Sequence, residues 1–185
     1  MRVIAGALKG RRLVTPRGAT TRPTADQVRI ALMDTLMPWL PGARVLDLFA
    51  GAGGVGLEAL SRGAAHATFV ERDARAVAAL RRNIATLGVD TRARVLAMEA
   101  ARALDGLAAR GERFEVVFLD PPYESDVGPH TVERAARLRL VAPGGVLIAQ
   151  HFTKRAAVLV ELEALTPFRG RRFGETTLTF FRARE

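Results

Sequence analysis

Asp47-Leu-Phe-Ala-Gly51-Ala-Gly53-Gly54-Val-Gly56 is the stretch on which the fold turns. It joins an apolar run of β-formers, Arg44-Val-Leu-Asp-Leu-Phe49, to a helical pattern from Gly54 to Arg62 that Gly63 closes. A G-x-G-x-x-G string between a strand and a helix is the entry turn of a βαβ unit. Glu71 follows Gly51 by 20 residues, at the end of the next strand, Ala67-Thr-Phe-Val-Glu71. A carboxylate there accepts hydrogen bonds from ribose hydroxyls, so the unit reads as nucleoside-binding.

Downstream the alternation continues. Asp73 caps a helix whose Val77, Leu80, Ile84 and Leu87 share one face, with Gly88 as the stop. Ala93 to Met98 is a third strand, followed by a helix to Arg110-Gly111. Phe114-Glu-Val-Val-Phe-Leu119 is a fourth strand, ended by two prolines with no N–H for a ladder. A helix near Pro129 to Leu138, a strand Gly145 to Ala149 and a helix over 154–163 come next. Leu165 to Phe168 and Thr177 to Phe181 are two closing strands around an arginine-rich turn, Arg169-Gly-Arg-Arg172. Right-handed βαβ units predict a doubly wound, mostly parallel α/β sheet of seven strands, with one strand of the closing pair antiparallel. Upstream, Pro23-Thr24 opens a helix with capping-box spacing to Gln27, and Val28, Ala31, Leu32, Thr35 and Leu36 form its face. Residues 2–15 predict a small, basic surface β-hairpin. We expect one domain over 1–185, with residues 1–22 an extension on a core of residues 23–185. Such sheets bind ligands at the carboxyl ends of their strands, where Asp47, Glu71, Glu99 and Asp120 fall.

The net charge is +9, and of 28 basic residues only Lys9 and Lys154 are lysine. Guanidinium forks suit phosphate. An arginine-rich composition accounts for part of this, but the charge clusters. Residues 1–29 hold Arg2, Lys9, Arg11, Arg12, Arg17, Arg22 and Arg29 against Asp26 alone, and the tail holds Arg169, Arg171, Arg172, Arg182 and Arg184. Charge at both ends points to an anionic partner, nucleic acid first. The absence of cysteine excludes disulfides and thiolate chemistry. His66, His130 and His151 are scattered, without metal-ligand spacing. No apolar run approaches a membrane span and no signal peptide is visible, so a cytoplasmic protein is expected.

The chemistry sits in two motifs. The glycine turn alone does not separate NAD from S-adenosylmethionine. Asp47 tips the balance, since it would repel a pyrophosphate and suits a cationic cofactor. Glycines that merely permit strand–helix packing would not need Asp47 and Glu71. Asp120-Pro121-Pro122-Tyr123, containing the only tyrosine, offers a carboxylate, a proline carbonyl and an aromatic ring. These groups can hold a planar base by its exocyclic amine. Asp120 and the Pro121 carbonyl would accept the two N–H bonds, aim the nitrogen lone pair and stabilise developing positive charge. The base must leave its stack, and stacking on Tyr123 offsets that cost.

Asp47 to Gly53 resembles the first motif of class I S-adenosylmethionine-dependent methyltransferases, and Asp120 to Tyr123 their amine-methylating motif. Arg2-Val-Ile-Ala-Gly6, Lys9-Gly10, Arg22-Pro-Thr-Ala-Asp-Gln-Val-Arg29, Gly56 to Gly63, Phe69-Val-Glu-Arg72 and Phe173-Gly-Glu-Thr176 resemble the RsmD family over nearly the whole chain. The resemblance implies a Rossmann-like sheet and methylation of a guanine N2 amine in 16S ribosomal RNA, within the small subunit or an assembly intermediate. It implies S-adenosylmethionine as cofactor, S-adenosylhomocysteine as product and no metal. Asp120, Pro121, Pro122 and Tyr123 would be catalytic. Asp47, Phe49, Gly51 and Gly53 would hold the methionine part, Glu71 the ribose, and Arg72, Glu99 and Ala100 the adenine side. Arg22 and Thr24 would cover the cofactor. Glu99 departs from the Asp or Asn frequent in relatives, and Gln150-His151 stands where relatives often have an acid. Arg2, Lys9, Arg11, Arg12, Arg17, Arg171 and Arg172 are the expected RNA contacts, on a monomer. The alternatives are an adenine-N6 methyltransferase, a dinucleotide-dependent oxidoreductase, which Asp47 and the Asp120 loop disfavour, and a non-catalytic RNA-binding protein.

Overall fold

The computed structural model describes residues 1–16, 23–121, 127–154 and 164–183, with the backbone alone at residues 23–25 and 127. Seven strands form one sheet: β1 (Arg44–Leu48), β2 (His66–Glu71), β3 (Ala93–Ala97), β4 (Phe114–Leu119), β5 (Val141–Phe152), β6 (Leu165–Phe173) and β7 (Thr176–Ala183). Their order is β3-β2-β1-β4-β5-β7-β6. β1 to β5 pair in parallel, and β7 pairs antiparallel with both β5 and β6, so β7 alone runs the other way. This is the predicted Rossmann-like architecture.

Strand alternation divides the core into two layers. Val45, Phe69, Val116, Phe118, Ile148 and Phe180 face α1 (Pro23–Leu36), α2 (Gly54–Ser61) and α3 (Ala74–Leu87). Leu46, Leu48, Val70, Val117, Leu119 and Phe181 face α4 (Ala100–Ala109) and α5 (Val127–Arg137). The α3 signals work as read: Asp73 Oδ1 accepts from Ala76 N at 2.8 Å, and Gly88 ends the helix. The helix expected over 154–163, save Lys154, and the Thr24 side chain lie outside the described residues.

Two expectations are corrected. Arg169-Gly-Arg-Arg172 is not a turn but the middle of edge strand β6; the turn is Gly174-Glu175. An edge strand with solvent on its flank carries arginines without showing alternation. The N-terminal segment is hairpin-like, but with a single antiparallel bridge, Arg2 to Arg12, and it is no loose surface ribbon. Val3 and Leu13 are buried in the core layer of α1 to α3. The ribbon is bound to α2 by Glu58, whose Oε2 and Oε1 accept from Ile4 N (2.7 Å) and Ala5 N (2.9 Å). Leu8 N donates to Ser61 Oγ at 2.9 Å. Gly6 passes so close to α2 that a Cβ there would lie 2.0 Å from the Ser61 carbonyl oxygen.

Candidate active site

β1 lies between β2 and β4, with Leu48 opposite both Val70 and Leu119. Phe49, Glu71 and Asp120 therefore emerge together on the carboxyl rim. The strand order reverses between β1 and β4, where α/β sheets open a ligand crevice. The loop leaving β1 is tightly fixed. Phe49 takes φ 66°, a left-handed conformation costing a bulky residue roughly 1–3 kcal/mol. Ala50 N to Val70 O (2.9 Å), Gly51 N to Glu71 Oε2 (2.9 Å) and Gly53 N to Ala50 O (2.8 Å) hold that turn. α2 then crosses β2 at Gly56, where a Cβ would come 2.3 Å from the ring of fully buried Phe69.

Alternation along β1 turns Asp47 towards α2, where its Oδ2 accepts from Gly56 N at 2.9 Å. The carboxyl is 1% exposed. Burial pushes its pKa up to about 7; the Gly56 hydrogen bond opposes this, while the nearby Asp120 and Glu71 charges add to it. Three carboxyl groups thus converge behind and beside the glycine loop. A folded-state pKa raised above the unfolded value contributes stability at low pH that is lost as pH rises, here from about pH 4 through about 7. Asp47→Asn keeps an acceptor oxygen and removes the ionisation. Urea unfolding of both proteins should show stability shifting against the wild type between about pH 4 and 7, at about 1.4 kcal/mol per unit of pKa shift. A pH-independent difference would refute the assignment.

Glu71 is half-buried. Besides Gly51 N, its Oε1 accepts from Arg72 N and Asp73 N, both at 2.8 Å. The carboxylate therefore locks the β1 and β2 loops together. Arg72 and Glu99, at the ends of β2 and β3, pair with each other at 2.9 Å. Both are largely exposed, so water screens the pair and a ligand could part it at small cost. Ala100 is buried as the first residue of α4, with Glu99 as its N-cap. Asp120 stands beside β1, its N–H 3.5 Å from Leu48 O, and Pro121 is buried against Gly128 of α5. The structure thus brings Asp47, Phe49, Gly51, Gly53, Glu71, Arg72, Glu99, Ala100, Asp120 and Pro121 to one rim. Arg22, Pro122 and Tyr123 lie outside the described residues.

The basic residues have internal partners as well as exposure. Arg11 Nη2 donates to Thr86 O at 2.7 Å, a cation on the last turn of α3, which the helix dipole favours. Arg171 Nη1 reaches Ala31 O of α1 at 3.3 Å, and Arg29 of α1 holds the Arg2 carbonyl at 2.8 Å. Segments from the two chain ends therefore meet on either side of α1. Lys9, Arg12 and Arg172 are exposed, and Arg17 lies outside the described residues. Among the described residues no group of three or more His, Cys, Asp or Glu stands close enough to hold a metal, and no helix is long and apolar enough to cross a membrane.

Two positioning residues were missed. Asn83 of α3 donates to Ala52 O of the glycine loop and to Val14 O, both at 2.9 Å, and accepts from Val14 N at 2.7 Å. Glu58 anchors the ribbon. Each is a polar residue within an apolar helical face, a signal the sequence did carry.

The family model described as Conserved hypothetical protein 95 matches residues 1–182. The chain is 40% identical over 151 residues, 82% of each chain, to the Bacillus subtilis (strain 168) protein called putative rRNA methyltransferase YlbH. It is 41% identical over 132 residues to ribosomal RNA small subunit methyltransferase D of Escherichia coli (strain K12), spanning 71% of this chain and 65% of that one. The solved structure of the Thermus thermophilus hypothetical protein TTHA0928 superposes with a TM-score of 0.83 at 35% identity, covering 99% of both chains.

Proposed function

The chain belongs to the Conserved hypothetical protein 95 family, the RsmD family, and on that footing we propose that it transfers a methyl group from S-adenosylmethionine to the exocyclic N2 amine of a guanine in 16S ribosomal RNA. The observation that carries this reading is the pairing of two motifs across one strand boundary. The glycine loop leaves β1 and Asp120-Pro121 leaves β4, with Leu48 opposite Leu119. A donor site and an amine-holding site thus share one crevice.

The residues present fit the cofactor. Glu71 and Asp120, with Asp47 only partly ionised near neutral pH behind the glycine loop, give the crevice a negative field suited to a cation. Glu71 keeps acceptor capacity for ribose hydroxyls beyond its backbone partners, because a carboxylate offers about four lone-pair sites. The Arg72–Glu99 pair borders the adenine side. When bound, S-adenosylmethionine supplies an electrophilic methyl group on a sulfonium, an excellent leaving group that needs no metal activation. Asp120 and the Pro121 carbonyl accept the two N–H bonds of the target amine. That withdraws the nitrogen lone pair from the ring and aims it at the methyl. As the nitrogen becomes positive, the Asp120 carboxylate stabilises it and stands where the surplus proton is released. The arginines flanking α1 supply the sequence-independent attraction to phosphate.

The test is incubation with labelled S-adenosylmethionine and small-subunit particles lacking the modification, followed by identification of the nucleoside. We expect N2-methylguanosine. N6-methyladenosine would replace guanine with adenine, and no transfer to any nucleic acid would reduce the protein to a binding module.

A further inference from the structure

Arg29 lies in the second turn of α1 and is 6% exposed. Among the described residues its hydrogen bonds use one nitrogen: Nη2 donates to Arg2 O at 2.8 Å and Asp26 Oδ1 at 3.0 Å. A guanidinium carries five N–H donors. Nε is buried with no partner. Nη1 faces the start of α2, where a Cβ built on Gly54 would lie 3.2 Å from it. The Met1 thioether packs beside the same spot, its Sδ and Cε 3.0 and 3.1 Å from that Cβ.

That spot is itself short of acceptors. Gly53, the N-cap of α2, has no side chain to cap the helix. First-turn N–H groups have no intrahelical acceptor, and they carry the positive end of the helix dipole. Asp47 takes Gly56 N only. A buried cation with unused donors and an uncapped helix start therefore converge at Gly54, beside the loop assigned to the cofactor's methionine part. The charges near Arg29 do not neutralise this point. Asp26 is 55% exposed, and Glu58 is already shared among Ile4 N, Ala5 N and Arg62 Nε.

We propose that Arg29 Nη1, with the open amides at the start of α2, binds the α-carboxylate of the methionine part of S-adenosylmethionine. The proposal rests on the cofactor reading above. It gives Arg29 a ligand rather than only a clamping role: Nη2 alone suffices to tie Arg2 to Asp26. It also makes the N-terminal ribbon part of the site, because the Arg2 carbonyl orients the guanidinium.

The experiment is calorimetric titration of the wild type, Arg29→Gln and Arg29→Lys with three ligands. These are S-adenosylhomocysteine, its decarboxylated analogue and methylthioadenosine, which lacks the amino-acid part. The wild type should prefer S-adenosylhomocysteine to the decarboxylated analogue by roughly 10- to 100-fold, as expected for a charge-assisted hydrogen-bonded carboxylate. Arg29→Gln should bring that ratio to within about threefold while methylthioadenosine affinity stays within about twofold, which also reports an intact fold. Arg29→Lys keeps the charge, guards against a misfolded glutamine variant, and should show a reduced ratio. An unchanged ratio in both variants, or a wild type that binds methylthioadenosine yet ignores the carboxylate, overturns the proposal. A wild type that binds none of the three overturns the cofactor reading, and the proposal with it.

Discussion

Asp120→Ala should slow methyl transfer by roughly 10²- to 10³-fold, the usual loss when one preorganised electrostatic partner of a transition state is removed. Affinity for S-adenosylhomocysteine should change by no more than a few-fold. The separation follows from position. Asp120 lies just past the end of β4, whereas the donor loop is built on β1 and β2 by Gly51, Glu71 and Val70. The β1–β4 pairing, with Leu48 opposite Leu119, holds the backbone that leads into Asp120, so the variant should fold. Removing its charge also takes away one of the influences that raise Asp47. Single-turnover transfer and cofactor titration on the same preparation read both halves. A near-normal rate would show that the target amine is held elsewhere, and a parallel loss of cofactor affinity would show that Asp120 serves the donor.

Glu58→Ala should cost roughly 3–5 kcal/mol of stability, the range seen when a buried ion pair loses one partner. Glu58 is fully buried and accepts from Ile4 N, Ala5 N and Arg62 Nε. Truncation strands two amides and leaves the 8%-exposed Arg62 with an exposed Asp34 as its remaining carboxylate partner among the described residues. For a chain of this size the melting temperature should fall by roughly 6–20 °C. Hydrogen exchange localises the damage: the amides of Ile4 and Ala5 should lose protection by more than those of β1, because they lose their acceptor outright. Equal loss throughout would mean that Glu58 matters only as a core residue. Unchanged exchange at the two amides would remove its anchoring role.

The sheet was legible because its signals are local. Short continuous apolar runs, Asp73 and Gly88 at the ends of α3, and the two prolines after β4 each act within a few residues. The charge on the rim was legible too, since a strand end fixes which residues come next. β6 was misread because its arginines lie on an exposed edge, where nothing forces alternation. β5 extends beyond the expected Gly145 to Ala149, to Val141–Phe152, and takes in Pro143-Gly144 where its pairing with β4 shifts register between Phe114 and Val116.

The sequence alone determined the α/β class, the antiparallel step in the closing pair of strands and the meeting of Asp47, Glu71 and Asp120 at one rim, because periodicity and handedness leave few topologies. Only the tertiary structure decided which polar groups are buried and what they hold. Glu58, Asn83 and Arg29 belong to three different helices, yet all three fasten the first residues of the chain. That ribbon is basic and weakly apolar by composition, and what binds it is a set of backbone amides and carbonyls that a sequence does not display. A hydrogen bond between segments more than 50 residues apart depends on distance and on the exclusion of water, which exist only once the helices have packed.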